Sequence, residues 1–264
     1  MALALHQLTD AAYLMAALLA VLGLVLSSPR LERAAVGGLA LGFALHTLSF
    51  LAIHRLVPTP ALTELPMALS LTAWTGTLFT LLVLLRVRGA GLAVVVAPLA
   101  FLGTFFASLS LPTIPSAPAA ASPLWSHLHV LLASAGIALL GVAGGAGVLY
   151  VVHDRAIKAK RPAGLRLPLP SLEALDRVNA LALGSGFLFI TLGVLTGVAW
   201  VAAVESRLWP GGLHANATLA AWALYAALLA VRFGGRQGAR RSALSSAAGF
   251  AVLLVAVVGV GVLS

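Results

Sequence analysis

Seven histidines and five tryptophans are the residues of this chain best suited to chemistry. Imidazole is a metal ligand and a proton carrier. Tryptophan supplies a large flat apolar wall with one hydrogen-bond donor. Trp125 and His129 are four residues apart, so a helix sets them on one face, while His127 faces elsewhere. Trp200, Trp209 and His214 follow one another over a short stretch, and His6, His46 and His54 lie in the first quarter of the chain. Histidine with tryptophan is the combination that would hold a flat, apolar, metal-containing ligand. Haem fits that description, since imidazole ligates iron axially and aromatic walls bury the macrocycle. His129 would be the metal ligand, with a second axial ligand from another element: His54, His214 or His6. The competing reading is a girdle of tryptophans at a membrane surface with solvated histidines beside it. His46 is either a ligand within the membrane or a histidine hydrogen-bonded inside a helix bundle.

The elements that must position these side chains are membrane helices. Of 264 residues, 61% are hydrophobic and only 9% charged, with a mean hydropathy of +1.07. A soluble domain averages about 25% charged residues. Apolar runs fall at about 11–27, 34–53, 66–86, 90–108, 126–152, 180–203, 215–233 and 243–263. Each is long enough to span, because about 20 residues of helix cross the hydrocarbon layer. Prolines and glycines mark the breaks: Pro29, then Pro58, Pro60 and Pro66, Gly89, four prolines between Leu111 and Pro123, and Gly234, Gly235 and Gly238. Pro98, inside the fourth run, is tolerable because neighbouring helices re-satisfy the backbone. The reading is an all-α, polytopic membrane helix bundle of eight spans forming a single integral domain.

Charge orients the bundle. With eight spans, one side carries 14 of the 16 basic residues, from Arg30 and Arg33 through Lys158, Lys160 and Arg161 to Arg240 and Arg241. The other side holds only Arg55 and Arg207. The positive-inside rule makes the first side cytoplasmic and puts both termini outside. The net charge of +9 therefore points to anionic headgroups and not to nucleic acid. His6, His54, His127, His129, His214 and all five tryptophans then fall toward the outer face, with His153 at the cytoplasmic one. The absence of cysteine excludes disulfides, thiolate metal sites and covalent haem attachment through this chain. Asp10, Glu64 and Glu205 are expected near the outer surface, which leaves His46 as the buried ionisable group. No phosphate loop, HExxH or nucleophile elbow occurs, so no self-contained catalytic site is expected. Glycines four apart (Gly38 and Gly42, Gly141 and Gly145, Gly193 and Gly197) read as close helix contacts. Ser171 can cap a helix whose early turns carry Glu173 and Asp176.

Four segments together carry a resemblance. Trp125-Ser-His-Leu-His129-Val130 is similar to a W-x-x-x-H-V signature. LPSLEALDRV at 169–178 follows, then GFLFITLGVLTGVAW from Gly186 to Trp200, and then WALYAALLAVR from Trp222 to Arg232. In this order they resemble the cytochrome c assembly family of CcsA/CcmC type, which includes HemX-like proteins. The resemblance is detailed over 125–264 and limited to the pattern of spans before that. It implies a loop between the sixth and seventh spans that presents haem on the outer face, with flanking histidines as iron ligands. His129 falls at the first flanking histidine, Trp209 at one loop tryptophan, and Trp200 at the helix end before the loop. The rest departs from the family pattern. Glu205, Gly211 and Gly212 stand where two further tryptophans and an aspartate would be, and Ala230 stands where many members have a membrane histidine. The family's second flanking histidine follows the last span, and the sequence ends at Ser264. The shorter HemX-like branch suits this pattern better than a full haem-presenting synthetase.

The resemblance thus implies a haem-handling protein in a bacterial inner membrane that supports cytochrome c maturation. Its implied partners are the bilayer, haem, other maturation subunits and apocytochrome c. A HemX-like scaffold or regulator that binds no haem, using its basic 154–179 connection on a partner, is the alternative. A small-solute transporter comes third, disfavoured by the lack of buried carboxylates.

Overall fold

The computed structural model describes residues 2–56, 61–87, 91–111, 123–159, 169–206, 209, 211–235 and 237–263. Eight helices follow one another: α1 (Ala2–Val25), α2 (Pro29–Ile53), α3 (Leu65–Leu84), α4 (Gly91–Ser110), α5 (Pro123–Lys158), α6 (Leu172–Glu205), α7 (Gly212–Leu229) and α8 (Ala239–Leu263). Among the described residues no strand occurs. All eight helices are long and apolar enough to cross a membrane. The apolar runs expected from the sequence lie within or across these helices, with two differences of consequence. The first helix begins at Ala2, nine residues ahead of the first apolar run, and α5 is 36 residues long.

Successive helices run antiparallel. His6 meets Ser49 and Gly38 meets Ala16 across α1 and α2. Ile190 packs on Gly136 and Leu140 on Gly186 across α5 and α6. The bundle therefore has two ends. One, here the histidine end, carries the start of α1, the ends of α2 and α6, and the starts of α5 and α7. The other, the basic end, carries Arg30, Arg33, Arg86, Arg155, Lys158, Arg177, Arg232, Arg240 and Arg241. The connections at 57–60, 88–90, 112–122 and 160–168, with Arg207 and Arg236, lie outside the described residues, and so do most of the loop prolines.

Two cores divide the bundle. Alanines 16, 20, 35, 93, 97 and 100 with Tyr13 and Leu39 bring α1, α2 and α4 close together. A second core, centred on Leu140, Val142, Leu175, Leu183, Tyr225 and Leu253, joins α5 to α8. Small side chains are what permit these approaches, since lipid offers no hydrophobic drive between helices. The sharpest case is Gly147, where a Cβ would collide with the Ala243 carbonyl oxygen of α8. Each glycine of the three spaced pairs abuts a side chain on another helix, as their spacing predicts.

Polar groups lock the basic end. The Asn179 amide donates to the Ala143 carbonyl at 2.8 Å and accepts from Ser242 and Ser246, tying α6 to α5 and α8. Arg232 pairs with Asp176 at 2.7 Å, and Asp154 takes both Lys158 and Arg240. Ser171 caps α6 as expected, accepting from the Ala174 amide at 3.2 Å.

Candidate functional site

His129 sits a turn and a half into α5, half-buried against α6. Its Nδ1 lies 2.8 Å from the Gly193 carbonyl oxygen. A carbonyl only accepts, so Nδ1 carries the proton and the neutral ring keeps its lone pair on Nε2. Nε2 has no hydrogen-bond partner among the described residues. This is how proteins prepare a histidine to ligate metal: the far nitrogen is anchored, which sets tautomer and ring orientation. Gly197 makes room for the ring, since a Cβ there would lie 2.8 Å from Nδ1. One turn further along α6, Trp200 stands with its ring 6.0 Å from the imidazole and tilted by 36°. His214, in the first turn of α7, is exposed at the same end of the bundle.

The other expected site residues separate into distinct places. Trp125 and Trp209 are exposed at the histidine end, and the ring beside His129 is Trp200. His54 follows the last residue of α2, is exposed, and faces His127 with ring centres 6.5 Å apart. His127 and His129 do point to different neighbours, as their spacing requires. Gly211 and Gly212, in the loop that replaces the expected tryptophans, adopt φ of +71° and +80°, a region that favours glycine. His46 is completely buried; its Nε2 is 2.9 Å from Ser70 Oγ and its Nδ1 is 3.3 Å from the Tyr13 hydroxyl.

Two expectations need correction. His6 is at the histidine end, in the first turns of α1, but it is not solvated there: it is fully buried, with Nδ1 2.6 Å from Ser49 Oγ and Nε2 3.3 Å from Ser70 Oγ. Asp10 is likewise buried between α1 and α4, where Ser108 donates to Oδ2 at 2.5 Å. The cause is the early start of α1, which carries both residues into the bundle on one face. His46 is therefore not alone as a buried ionisable group, and the bundle does hold a buried carboxylate. The sequence signal was present in the spacing of His6, Asp10 and Tyr13, at i, i+4 and i+7.

The His129 cluster fits haem in its donor set: one anchored imidazole whose Nε2 has no hydrogen-bond partner among the described residues, an indole wall, and a further exposed imidazole, His214, at the same end of the bundle. Among the described residues no group of three or more His, Asp or Glu could hold a bare metal ion. Two imidazoles against a tetrapyrrole is a different requirement, since the macrocycle brings four ligands of its own. A groove of about 740 Å³ lies at the opposite, basic end, between α3, α5 and α6; its apolar walls carry Arg86 and Arg177.

Comparison with known proteins gives consistent relatives. The profile of the family described as "Cytochrome C assembly protein" matches residues 62–264, more than three quarters of the chain. The chain is 28% identical over 225 residues to the cytochrome c biogenesis protein CcsA of Prochlorococcus marinus, covering 74% of this chain and 71% of that one. It is 26% identical over 189 residues to the protein of the same name from Guillardia theta, covering 64% and 62%. The corresponding values for Thermosynechococcus vestitus are 27% over 209 residues, 64% and 66%. The similarity extends well ahead of residue 125, where the detailed motifs begin.

Proposed function

The chain belongs to the cytochrome c assembly protein family and acts in cytochrome c biogenesis as a multi-pass membrane protein; from that premise we propose that it carries haem at the histidine end of its bundle, with His129 as an iron ligand. The carrying observation is the His129–Gly193 hydrogen bond at 2.8 Å, which leaves Nε2 as the ligating nitrogen. His214, at the start of α7 on the same end of the bundle, is taken as the second ligand, because His54 faces His127 and His6 is sealed inside the bundle. Trp200 forms a wall, and Trp125 and Trp209 border the site toward the surface. Haem, when bound, would supply an iron for axial ligation and, on its porphyrin ring, the vinyl groups to which apocytochrome cysteines add. This chain has no cysteine, so its own residues hold and orient the cofactor, and the cysteines come from an apocytochrome partner.

The basic end lies on the cytoplasmic side of a bacterial plasma membrane, by the positive-inside rule. Haem is thus held on the opposite face, where cytochromes c are completed, in concert with other maturation subunits. Its short, glycine-containing α6–α7 loop favours the HemX-like branch. The purified protein in detergent tests this reading. A Soret band, present as isolated or after adding haemin, should weaken in His129→Ala and in His214→Ala but persist in His54→Ala. A colourless preparation that also fails to bind haemin overturns it.

A further inference from the structure

The family match begins at residue 62, yet the most completely buried polar cluster of the chain is built largely from α1 and α2, ahead of it. His6 and His46 have no exposed surface, and neither do Ser49 and Ser70. Both Nε2 atoms converge on one point, Ser70 Oγ, at 3.3 Å from His6 and 2.9 Å from His46. Both Nδ1 atoms point away, to Ser49 Oγ at 2.6 Å and to the Tyr13 hydroxyl at 3.3 Å. The rings are edge-on, 5.4 Å between centres and 89° between planes. Phe50 stacks on His46 at 4.7 Å.

We propose that His6 and His46 form a buried two-histidine site for a monovalent d¹⁰ cation, specifically Cu(I), with the Ser70 hydroxyl as a weak third ligand. Both Nε2 atoms lie within hydrogen-bond distance of one oxygen, at 3.3 and 2.9 Å, so a single ion beside Ser70 is within reach of both lone pairs. The hydrogen-bond network is satisfied without an ion and can also accommodate one. Without an ion the single Ser70 proton serves only one Nε2, and the other imidazole must present its own N–H to Ser70. With an ion, both rings adopt the Nδ1–H tautomer, donate to Ser49 and Tyr13, and offer both lone pairs to one centre, the usual outer-shell arrangement of ligating histidines.

The donor count selects the ion. Two imidazoles and one hydroxyl fall short of the four ligands of a structural zinc site, and a single positive charge is the less costly one in an apolar bundle. A carboxyl group that can balance the charge lies on the same helix face. Asp10 stands one turn from His6 on the same face of α1, and its Oδ1 is buried without a hydrogen-bond partner. An orphaned carboxylate oxygen is expensive in such surroundings unless a cation offsets it. Only the first turn of α1, with Ala2 packed near Ile53 and Met67, separates the site from the histidine end. This site is independent of the haem reading, because it shares no residue with the His129 cluster.

The test uses the full-length protein in detergent, in a haem-free His129→Ala/His214→Ala background as well as unmodified. Cu(I) is supplied anaerobically as its acetonitrile complex, followed by desalting and metal analysis. One equivalent of copper should be retained in both backgrounds. His6→Gln and His46→Gln should each lower affinity at least about tenfold against a Cu(I) chelator, while His54→Ala and His127→Ala leave it unchanged. If either glutamine variant fails to fold, X-ray absorption on the unmodified protein decides, by showing or lacking two imidazole scatterers at about 2 Å. Copper absent after desalting, copper retained equally by both glutamine variants, or copper without imidazole scattering overturns the proposal.

Discussion

Gly197→Ala tests how His129 is positioned without touching the ligand itself. A Cβ at this glycine would lie 2.8 Å from His129 Nδ1 and 3.0 Å from Cε1. Ordinary contact begins near 3.4 Å, so the ring must retreat from α6 by about 0.6 Å, a shift that densely packed interiors resist. The Gly193 carbonyl that anchors the ring is on the same helix, one turn away. Retreat therefore stretches the 2.8 Å hydrogen bond toward about 3.4 Å, outside the usual range. Two effects then oppose each other in stability. Alanine is favoured over glycine inside a helix by about 1 kcal/mol, and overpacking costs about 1–3 kcal/mol. The fold should survive with a small net loss. Haem affinity should suffer more, because losing an outer-shell partner of a ligating histidine typically costs about 10- to 100-fold. Haemin titration followed at the Soret band measures this, with thermal unfolding in detergent as the control for fold. Gly184→Ala is the internal comparison: no atom lies within 4 Å of a Cβ there, so it should leave haem binding unchanged and stability equal or slightly higher. If Gly197→Ala binds haemin as tightly as the unmodified protein, the Gly193 anchor has no part in presenting Nε2, and the reasoning from that hydrogen bond fails.

Three further outcomes follow from the packing. Asn179→Ala should lower the unfolding temperature, because it removes a 2.8 Å hydrogen bond to the Ala143 carbonyl and the acceptor shared by Ser242 and Ser246; a loss of about 1–3 kcal/mol is expected for stranded buried groups, read by thermal or SDS unfolding. Gly147→Val should separate α5 from α8 and destabilise more strongly than Gly145→Ala, whose neighbour is a movable Val95 side chain; size-exclusion profiles and unfolding curves would show it, and equal behaviour of the two would contradict the close approach at Ala243. Asp176→Asn should weaken the tie between α6 and the π-helical turn Ala230–Gly234 that follows α7, since Arg232 is only 11% exposed and would lose its 2.7 Å ionic partner; limited proteolysis at the basic end reports the loosening, and an unchanged cleavage pattern would count against it.

What the sequence revealed and what it concealed have one physical origin. Eight helices were legible because spanning a bilayer requires long apolar runs, and the glycine pairs were legible as contacts because only small residues let helices approach in lipid. The inward face of each helix was not legible, because lipid and protein interior are both apolar and hydrophobic periodicity loses its contrast. Apolar periodicity therefore gives no sign that His6 and Asp10 face inward, although the bundle buries both. The same blindness affected the histidines. Their distribution showed which ones share an end, but pairing depends on helix neighbours: α5 against α6 sets His129 beside Gly193 and Trp200, while the end of α2 brings His54 to His127. Polar residues carry the missing information. In a chain with 9% charge, each polar side chain within a span needs a partner, and partners must come from adjacent helices. His6, Asp10 and Tyr13 at helical spacing in the first 13 residues meet Ser49, Ser108 and His46 in turn. That stripe marks the face of α1 that the structure packs against both α2 and α4. For membrane chains of this kind, the spacing of the few polar residues is a better guide to packing, and to sites, than the spacing of the many apolar ones.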